Sequence, residues 1–226
     1  KGIRLDSEKK QIRMLAGKLK KSGEFYEVPV ELRDGQTAGK DIIHSSATAI
    51  LSDRLPSAPS YQFSKAMVAK AYTRKIEDVY DKVLFHGHHL HGIRKIVSCS
   101  PRGMVAHLSP APAPHEWISS PLRNQWIGDP LVLDSAFQMA TVWCFEEKGI
   151  VSLPSYAASY RQYCEQFPSG GVTAVLEVKD VTNRRMRGDF TFLDVGDVIV
   201  ARMKGYEAIM DASLFKAFKP QYRASA

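Results

Sequence analysis

Asp134 and Gln138 stand four residues apart in the run Asp129-Pro-Leu-Val-Leu-Asp134-Ser-Ala-Phe-Gln138, inside a stretch that is otherwise almost wholly apolar. Four residues is one helical turn, so a helix here puts both side chains on one face. From Leu131 to Phe145 the pattern is apolar nearly all round, which is the signature of a buried helix. An ionised carboxylate there is costly, so Asp134 is expected to have a raised pKa or a dedicated partner, with Gln138 able to orient it. A carboxyl group so perturbed is a candidate for acid–base chemistry. The competing reading is an Asp whose oxygens are satisfied by backbone N–H groups. A second concentration of chemistry lies at His86, His88, His89 and His91, four imidazoles in six residues. Imidazoles this dense are metal-ligand types. No Cys or carboxylate falls within the run, however, which weighs against a metal site.

The elements that must position these residues follow from local pattern. Asp129 and Pro130 suit the N-cap and first position of the apolar helix, where a side-chain acceptor and a missing N–H both fit. Ile76, Val79, Tyr80, Val83 and Leu84 fall at i, i+3, i+4, i+7 and i+8, an amphipathic helix that Gly87 stops. Strands are expected at 93–99 and 104–108, joined by a turn at Ser100-Pro-Arg-Gly103. Further strands are expected at 155–163, 171–181, 185–193 and 198–209, with turns at Pro168-Ser-Gly-Gly171 and Asp194-Val-Gly196-Asp197. Residues 2–5, 11–19, 25–32 and 42–51 also read as strands. Pro29 argues for an edge position there, and 43–51 for an inner strand. No segment of the first 60 residues has the length and period of a central helix. One long apolar helix with an antiparallel meander is an α+β fold, the sheet wrapping the helix. The expected division is a sheet unit at 1–55, a Pro- and Ser-rich linker at 56–75, a helix-and-sheet unit at 76–213 and a tail at 214–226.

Composition limits the function classes. The content of 44% hydrophobic and 24% charged residues is ordinary for a globular protein. No apolar run approaches the roughly 18 residues needed to cross a bilayer, and the first residues lack a signal-peptide core. Cys99, Cys144 and Cys164 form no CxxC pair and read as reduced thiols, the usage of a cytoplasmic protein. The formal charge of +7 is scattered, with small clusters at Lys18-Leu-Lys-Lys21 and Arg184-Arg185-Met-Arg187. No zinc-finger, helix-turn-helix or RNP-type pattern accompanies it, so nucleic acid is not an expected partner. An acidic protein partner suits such a surface equally well.

With Leu84-Phe-His-Gly-His-His-Leu-His-Gly-Ile93 ahead of the Asp134 helix, the chain resembles the dehydratase domains of polyketide synthases and polyunsaturated fatty acid synthases. Their pattern Tyr, then Phe/Tyr-x-Gly-Pro-x-Phe-x-Gly-Ile, looks like Tyr80, Phe85, Gly87, Leu90, Gly92 and Ile93 here. Their Pro-x-Leu-Leu-Asp-x-x-x-Gln/His looks like Pro130, Leu131, Leu133, Asp134 and Gln138, and a Leu-Pro before a strand looks like Leu153-Pro154. The resemblance covers 80–210 well and 1–51 more loosely. His88 stands where the family usually has Pro, and His91 where Gln or Val is common.

The resemblance implies a double hotdog, two tandem units each with a curled antiparallel sheet around one long helix. The second unit is complete in this reading, and the first lacks its central helix. It also implies a catalytic His on a His-x-x-x-Gly-x-x-x-x-Pro motif. Among the seven histidines only His88 has Gly four residues on, at Gly92, and Val97 replaces the Pro. The motif is absent, and the base is expected about 80–100 residues upstream of Lys1, judged from the size of a paired fold unit. The implied activity is removal of water from a β-hydroxyacyl chain tethered by phosphopantetheine to acyl carrier protein, without metal or other cofactor. Asp134 would protonate the leaving hydroxyl, and Leu131, Leu133, Phe137 and Met139 would exclude water around it. Gln138 would hold the carboxyl or the hydroxyl in line. Tyr80, Phe85, Gly87, His88, Leu90, His91, Gly92, Leu133, Phe137 and Pro154 would shape the substrate channel, with N–H donors from Gly87 and Gly92. Companion synthase domains and a homodimer are the expected partners, and this chain alone is expected to be inactive. Alternatives are a non-catalytic structural or docking domain and a product-template-type cyclase. A single-hotdog thioesterase fits less well, because two sheet-forming halves share one candidate helix.

Overall fold

A computed structural model describes residues 3, 10–35, 42–62, 67 and 71–214. The chain divides into two compact units, Lys1–Leu55 and Pro56–Ala226. The first is a four-stranded antiparallel sheet of β1 (Ile12–Ala16), β2 (Lys20–Ser22), β3 (Phe25–Asp34) and β4 (Ile43–Leu51). No helix occurs among its described residues. The strand expected at 2–5 falls, apart from Ile3, outside the described residues, as does the tail beyond Leu214.

Three expectations for this unit need correction. The segment 11–19 is not one strand: β1 ends at Ala16 and β2 starts at Lys20, both pairing with β3. Pro29 therefore sits on the central strand, not at an edge. It is tolerated because it faces the break between β1 and β2, where its carbonyl accepts from Gly17 N at 2.7 Å and no N–H is required of it. β4 is the edge strand rather than an inner one, pairing only with β3 among the described strands. Its small residues leave little to bury, and Ile43 and Ile50 stay 44% and 56% exposed.

The second unit starts with α1 (Ile76–Lys82), and a 3-10 turn follows at His88–Leu90. Next come β5 (Ile93–Ser100), β6 (Gly103–Leu108), a one-turn helix α2 (Pro114–Trp117) and the long helix α3 (Pro130–Lys148). The remaining strands are β7 (Ser152–Tyr156), β8 (Ser159–Gln162), β9 (Val172–Val181), β10 (Arg185–Leu193) and β11 (Ile199–Met210). All pairings are antiparallel, in the order β5-β6-β9-β10-β11-β7, with β8 also on β11. The sheet curls around α3, the architecture expected of a hotdog unit.

The segment 155–163 is two strands, not one. Gly205 in β11 adopts a left-handed φ of 59°, and Ala158 donates to the carbonyls of Lys204 and Gly205 at this kink. A Cβ on Gly205 would meet Ala158 Cβ at 2.8 Å, so only glycine lets the two backbones approach.

α3 is anchored at both ends as its sequence requires. Asp129 accepts from Val132 N at 2.9 Å, and Gly149 closes the C-terminus at φ 66°. Val132, Ala136, Met139, Ala140 and Trp143 are buried against sheet residues such as Met104, Leu176, Phe190 and Tyr206. Each large side chain buried this way contributes about 1.5–3 kcal/mol. This packing fixes the rotation of α3, and hence the direction of Asp134. No described helix is long and apolar enough to cross a membrane.

Candidate active site

The site is built where the first turns of α3 meet the loop after α1. Tyr80 projects from α1 and is buried. Its hydroxyl accepts from Ile93 N at 2.8 Å and donates to Gln138 Oε1 at 2.9 Å. Gln138, fully buried on α3, donates from Nε2 to Leu90 O at 2.7 Å and to Asp134 Oδ2 at 2.7 Å. The Leu90 carbonyl can only accept, so it fixes which end of the Gln138 amide faces it. With both N–H groups used, Gln138 orients the carboxyl and has no donor left for a substrate hydroxyl.

Asp134 is not sealed from water as the apolar run suggests. Its side chain keeps 33% of its surface, because this turn of α3 faces the loop rather than the sheet. Met139, five residues on, projects to the far side of the helix and is fully buried in the core. Leu133 and Phe137 flank Asp134 and are half-buried, Phe137 stacking on Tyr206 at 5.5 Å.

The residue that sequence reasoning left out of the site is His86. Its Nε2 stands 3.7 Å from Asp134 Oδ2, with a side chain only 10% exposed. Phe85 stacks on it at 4.3 Å, and its Nδ1 is buried without a hydrogen-bond partner among the described residues. Burial pulls the His86 imidazole below the usual histidine range; the charge of Asp134 opposes this and His91 adds to it.

The other histidines take different places. His91 stacks on Tyr80 at 3.8 Å and its Nε2 lies 3.0 Å from His86 O, so it braces the loop. His88 and His89 pack on each other at 3.9 Å and are exposed. Leu90 is 36% exposed and reaches the site through its carbonyl. Among the described residues no group of three or more His, Cys, Asp or Glu is arranged to hold a metal ion.

Gly92 is required by contact, not by turn geometry. A Cβ there would fall 2.1 Å from Ser135 Oγ and 2.8 Å from Leu131 Cγ. Its N–H is taken by Leu90 O at 2.9 Å, which removes it as a donor to a thioester oxygen. Gly87 has open space around its Cα. Pro154 is exposed on β7, and no described contact joins it to Asp134. A cavity of ≈ 520 Å³ reaches Tyr80, His91 and Arg94, but Asp134 does not line it.

The arrangement is a carboxyl group held by an amide, next to a buried imidazole and open on one side. It can deliver or take a proton at Asp134 while the rest of the network stays fixed.

Comparison with known proteins agrees with this fold. The chain is similar in fold to the dehydratase domain of the CurF module of the curacin polyketide synthase, with TM-score 0.67 and 17% identity over 92% of this chain and 71% of that one. A trans-AT PKS dehydratase domain from Brevibacillus brevis gives TM-score 0.65 and 18% identity, covering 93% of this chain and 79% of that one. The dehydratase domain of PpsC from Mycobacterium tuberculosis, in complex with C12:1-CoA, gives 0.60 and 18% over 85% and 66%. No curated protein matches the chain. The family described as "Polyketide synthase dehydratase N-terminal domain" matches residues 65–210, well over half of the chain and all of the site. The chain belongs to the polyketide synthase dehydratase family.

Proposed function

We propose that this domain removes water from a β-hydroxyacyl thioester to give the α,β-enoyl thioester, the acyl chain being carried on the phosphopantetheine of an acyl carrier protein. The observation that carries the reading is the pairing of Asp134 with Gln138 in a chain of this family. The thioester carbonyl acidifies the α-proton, while the β-hydroxyl leaves poorly unless it is protonated as it departs. Asp134 as a carboxylic acid supplies that proton, its free side facing the substrate and its Oδ2 held by Gln138. The bond to the hydroxyl breaks, water leaves, and the electron pair of the α-carbon becomes the new double bond. The reaction is redox-neutral and calls on no cofactor. A similar domain is solved in complex with C12:1-CoA, an acyl thioester, which is the class of ligand proposed here.

The base is a histidine this chain does not carry on the family motif, so the 226 residues alone are proposed to be inactive. The test is dehydration of a 3-hydroxyacyl thioester by the intact synthase, with Asp134→Asn as the variant. Loss of enoyl product with the fold retained supports the assignment; full activity removes Asp134 as the acid.

A further inference from the structure

We propose that His86 binds the substrate as a neutral imidazole, its Nε2–H donating to the β-oxygen that Asp134 protonates and staying on that oxygen as it leaves. This rests on the dehydratase reading above and deepens it by placing a second group on the leaving oxygen. The hydrogen bonds of the site single out this nitrogen. Gln138 donates to Leu90 O and to Asp134 Oδ2, and Tyr80 donates to Gln138 Oε1. His91 Nε2 faces the His86 carbonyl, which can only accept, and the Gly92 N–H is held by Leu90 O. Ser135 Oγ has no partner among the described residues, but it is fully buried against Gly92. His86 Nε2 is different. It stands 3.7 Å from Asp134 Oδ2, too far for a hydrogen bond, so the carboxyl group does not occupy it.

The surroundings put the ring proton on Nε2. A neutral imidazole carries one N–H and one bare nitrogen. Nδ1 is buried with no hydrogen-bond partner among the described residues, and an unpaired N–H there is costlier than a bare lone pair. Nε2 faces the Asp134 carboxyl, which favours an N–H dipole and repels a lone pair. Burial, with Phe85 stacked at 4.3 Å, and then His91 keep a second proton off the ring against the pull of Asp134. The single N–H of His86 is therefore fixed in direction and free to donate.

Asp134 keeps 33% of its side-chain surface, so a ligand can reach the carboxyl group. An oxygen that takes the Asp134 proton must lie within hydrogen-bond reach of that carboxyl, and Oδ2 is already held by Gln138. A hydrogen bond spans about 2.7–3.0 Å, so an oxygen seated above the 3.7 Å edge from Nε2 to the carboxyl reaches both groups at once. When the carbon–oxygen bond breaks, its electron pair goes to the oxygen, which takes the proton of Asp134 and departs as water. The Nε2–H stabilises the negative charge that develops before this transfer is complete. His86 gains and loses no proton. The α-proton goes to the separate base, and the electron pair of its C–H bond becomes the double bond.

Two measurements test the role. The first is 15N NMR of the histidines in the 226-residue chain at neutral pH. The His86 ring is expected as the neutral Nε2–H tautomer. An Nδ1–H tautomer or an imidazolium overturns the proposal whether or not the protein is an enzyme.

The second compares His86→Met and His86→Gln in the intact synthase. Gln carries an amide N–H near the place of Nε2, whereas Met fills a similar volume without a donor. His86→Met should lower kcat/KM for a 3-hydroxyacyl pantetheine thioester by about 10–100-fold, and His86→Gln by no more than about threefold. The inhibition constant of the saturated acyl pantetheine thioester, which has no β-oxygen, should be unchanged in both variants. Equal losses for substrate and inhibitor, no loss in His86→Met, or a His86→Gln variant as poor as His86→Met overturns the role of His86 while leaving the dehydratase reading in place. A wild-type synthase that dehydrates no 3-hydroxyacyl thioester overturns that reading, and this role with it, whatever the tautomer.

Discussion

Gln138 Nε2 stands 2.7 Å from Asp134 Oδ2 one turn along α3, and the same nitrogen stands 2.7 Å from the Leu90 carbonyl. One buried amide thus ties the Asp134 carboxyl group on the helix to the loop that brings His86. The tie is extended by Tyr80, whose hydroxyl bridges Gln138 and the backbone of Ile93. The carboxyl group is oriented by a chain of bonds that starts on a different helix, α1.

Removing the Tyr80 hydroxyl breaks that chain at two points. Tyr80→Phe leaves Gln138 Oε1 and Ile93 N–H buried without their partner, a cost of about 1–3 kcal/mol. Urea unfolding of the 226-residue chain should show a lower midpoint with an unchanged slope. Dehydration by the synthase should fall as well, because the carboxyl loses its fixed orientation.

Gly92→Ala tests the close approach of the loop to α3. The added methyl collides with Ser135 Oγ and Leu131, both on a buried face of the helix. Overpacking of this kind costs about 1–3 kcal/mol. Gly87→Ala meets open space and should be nearly neutral. Thermal unfolding of the two variants side by side checks the contrast.

Stability should fall as the solution is made mildly acidic. Burial holds His86 below the ordinary histidine value, and burial, then Lys95 and Arg94, do the same to His107. For both, the unfolded chain binds protons more readily than the fold does. The stability is fully present above the unfolded histidine pKa of about 6.5 and is lost as pH falls through the folded values. Denaturation midpoints between pH 7.5 and pH 5 should show this decline, with a smaller slope in His86→Gln.

The pairing of Asp134 with Gln138 was legible because helix period alone puts the two on one face, and the structure joins them by a hydrogen bond. The second unit was legible for a similar reason: Asp129-Pro130 and Gly149 mark the ends of α3, and turn residues separate the strands. The partition among the histidines was not. His86, His88, His89 and His91 are chemically identical, and only the fold shows that His86 turns inward while the other three stay exposed around the 3-10 turn at His88–Leu90. His86 escapes that turn by two residues. Nor did pattern reveal that Asp134 stays one-third exposed, since an apolar run tells how a helix is buried on average, not which turn lies beneath an open loop. In the first unit, Pro29 suggested an edge because the sequence does not show that its neighbour strand is broken at Gly17.

The 226-residue chain assayed alone should form no detectable enoyl product from a 3-hydroxyacyl thioester. Turnover by this chain would place the base among its own seven histidines.

The central claim is that Asp134 protonates the departing oxygen, and it is tested most directly by changing the leaving group. The intact synthase and its Asp134→Asn variant would be compared on a 3-hydroxyacyl thioester and on the 3-chloroacyl analogue, corrected for spontaneous elimination. Chloride departs without a proton. The account predicts that Asp134→Asn loses about 10²–10⁴-fold on the hydroxy substrate and little on the chloro substrate. Equal losses on both, or none on the hydroxy substrate, would contradict it.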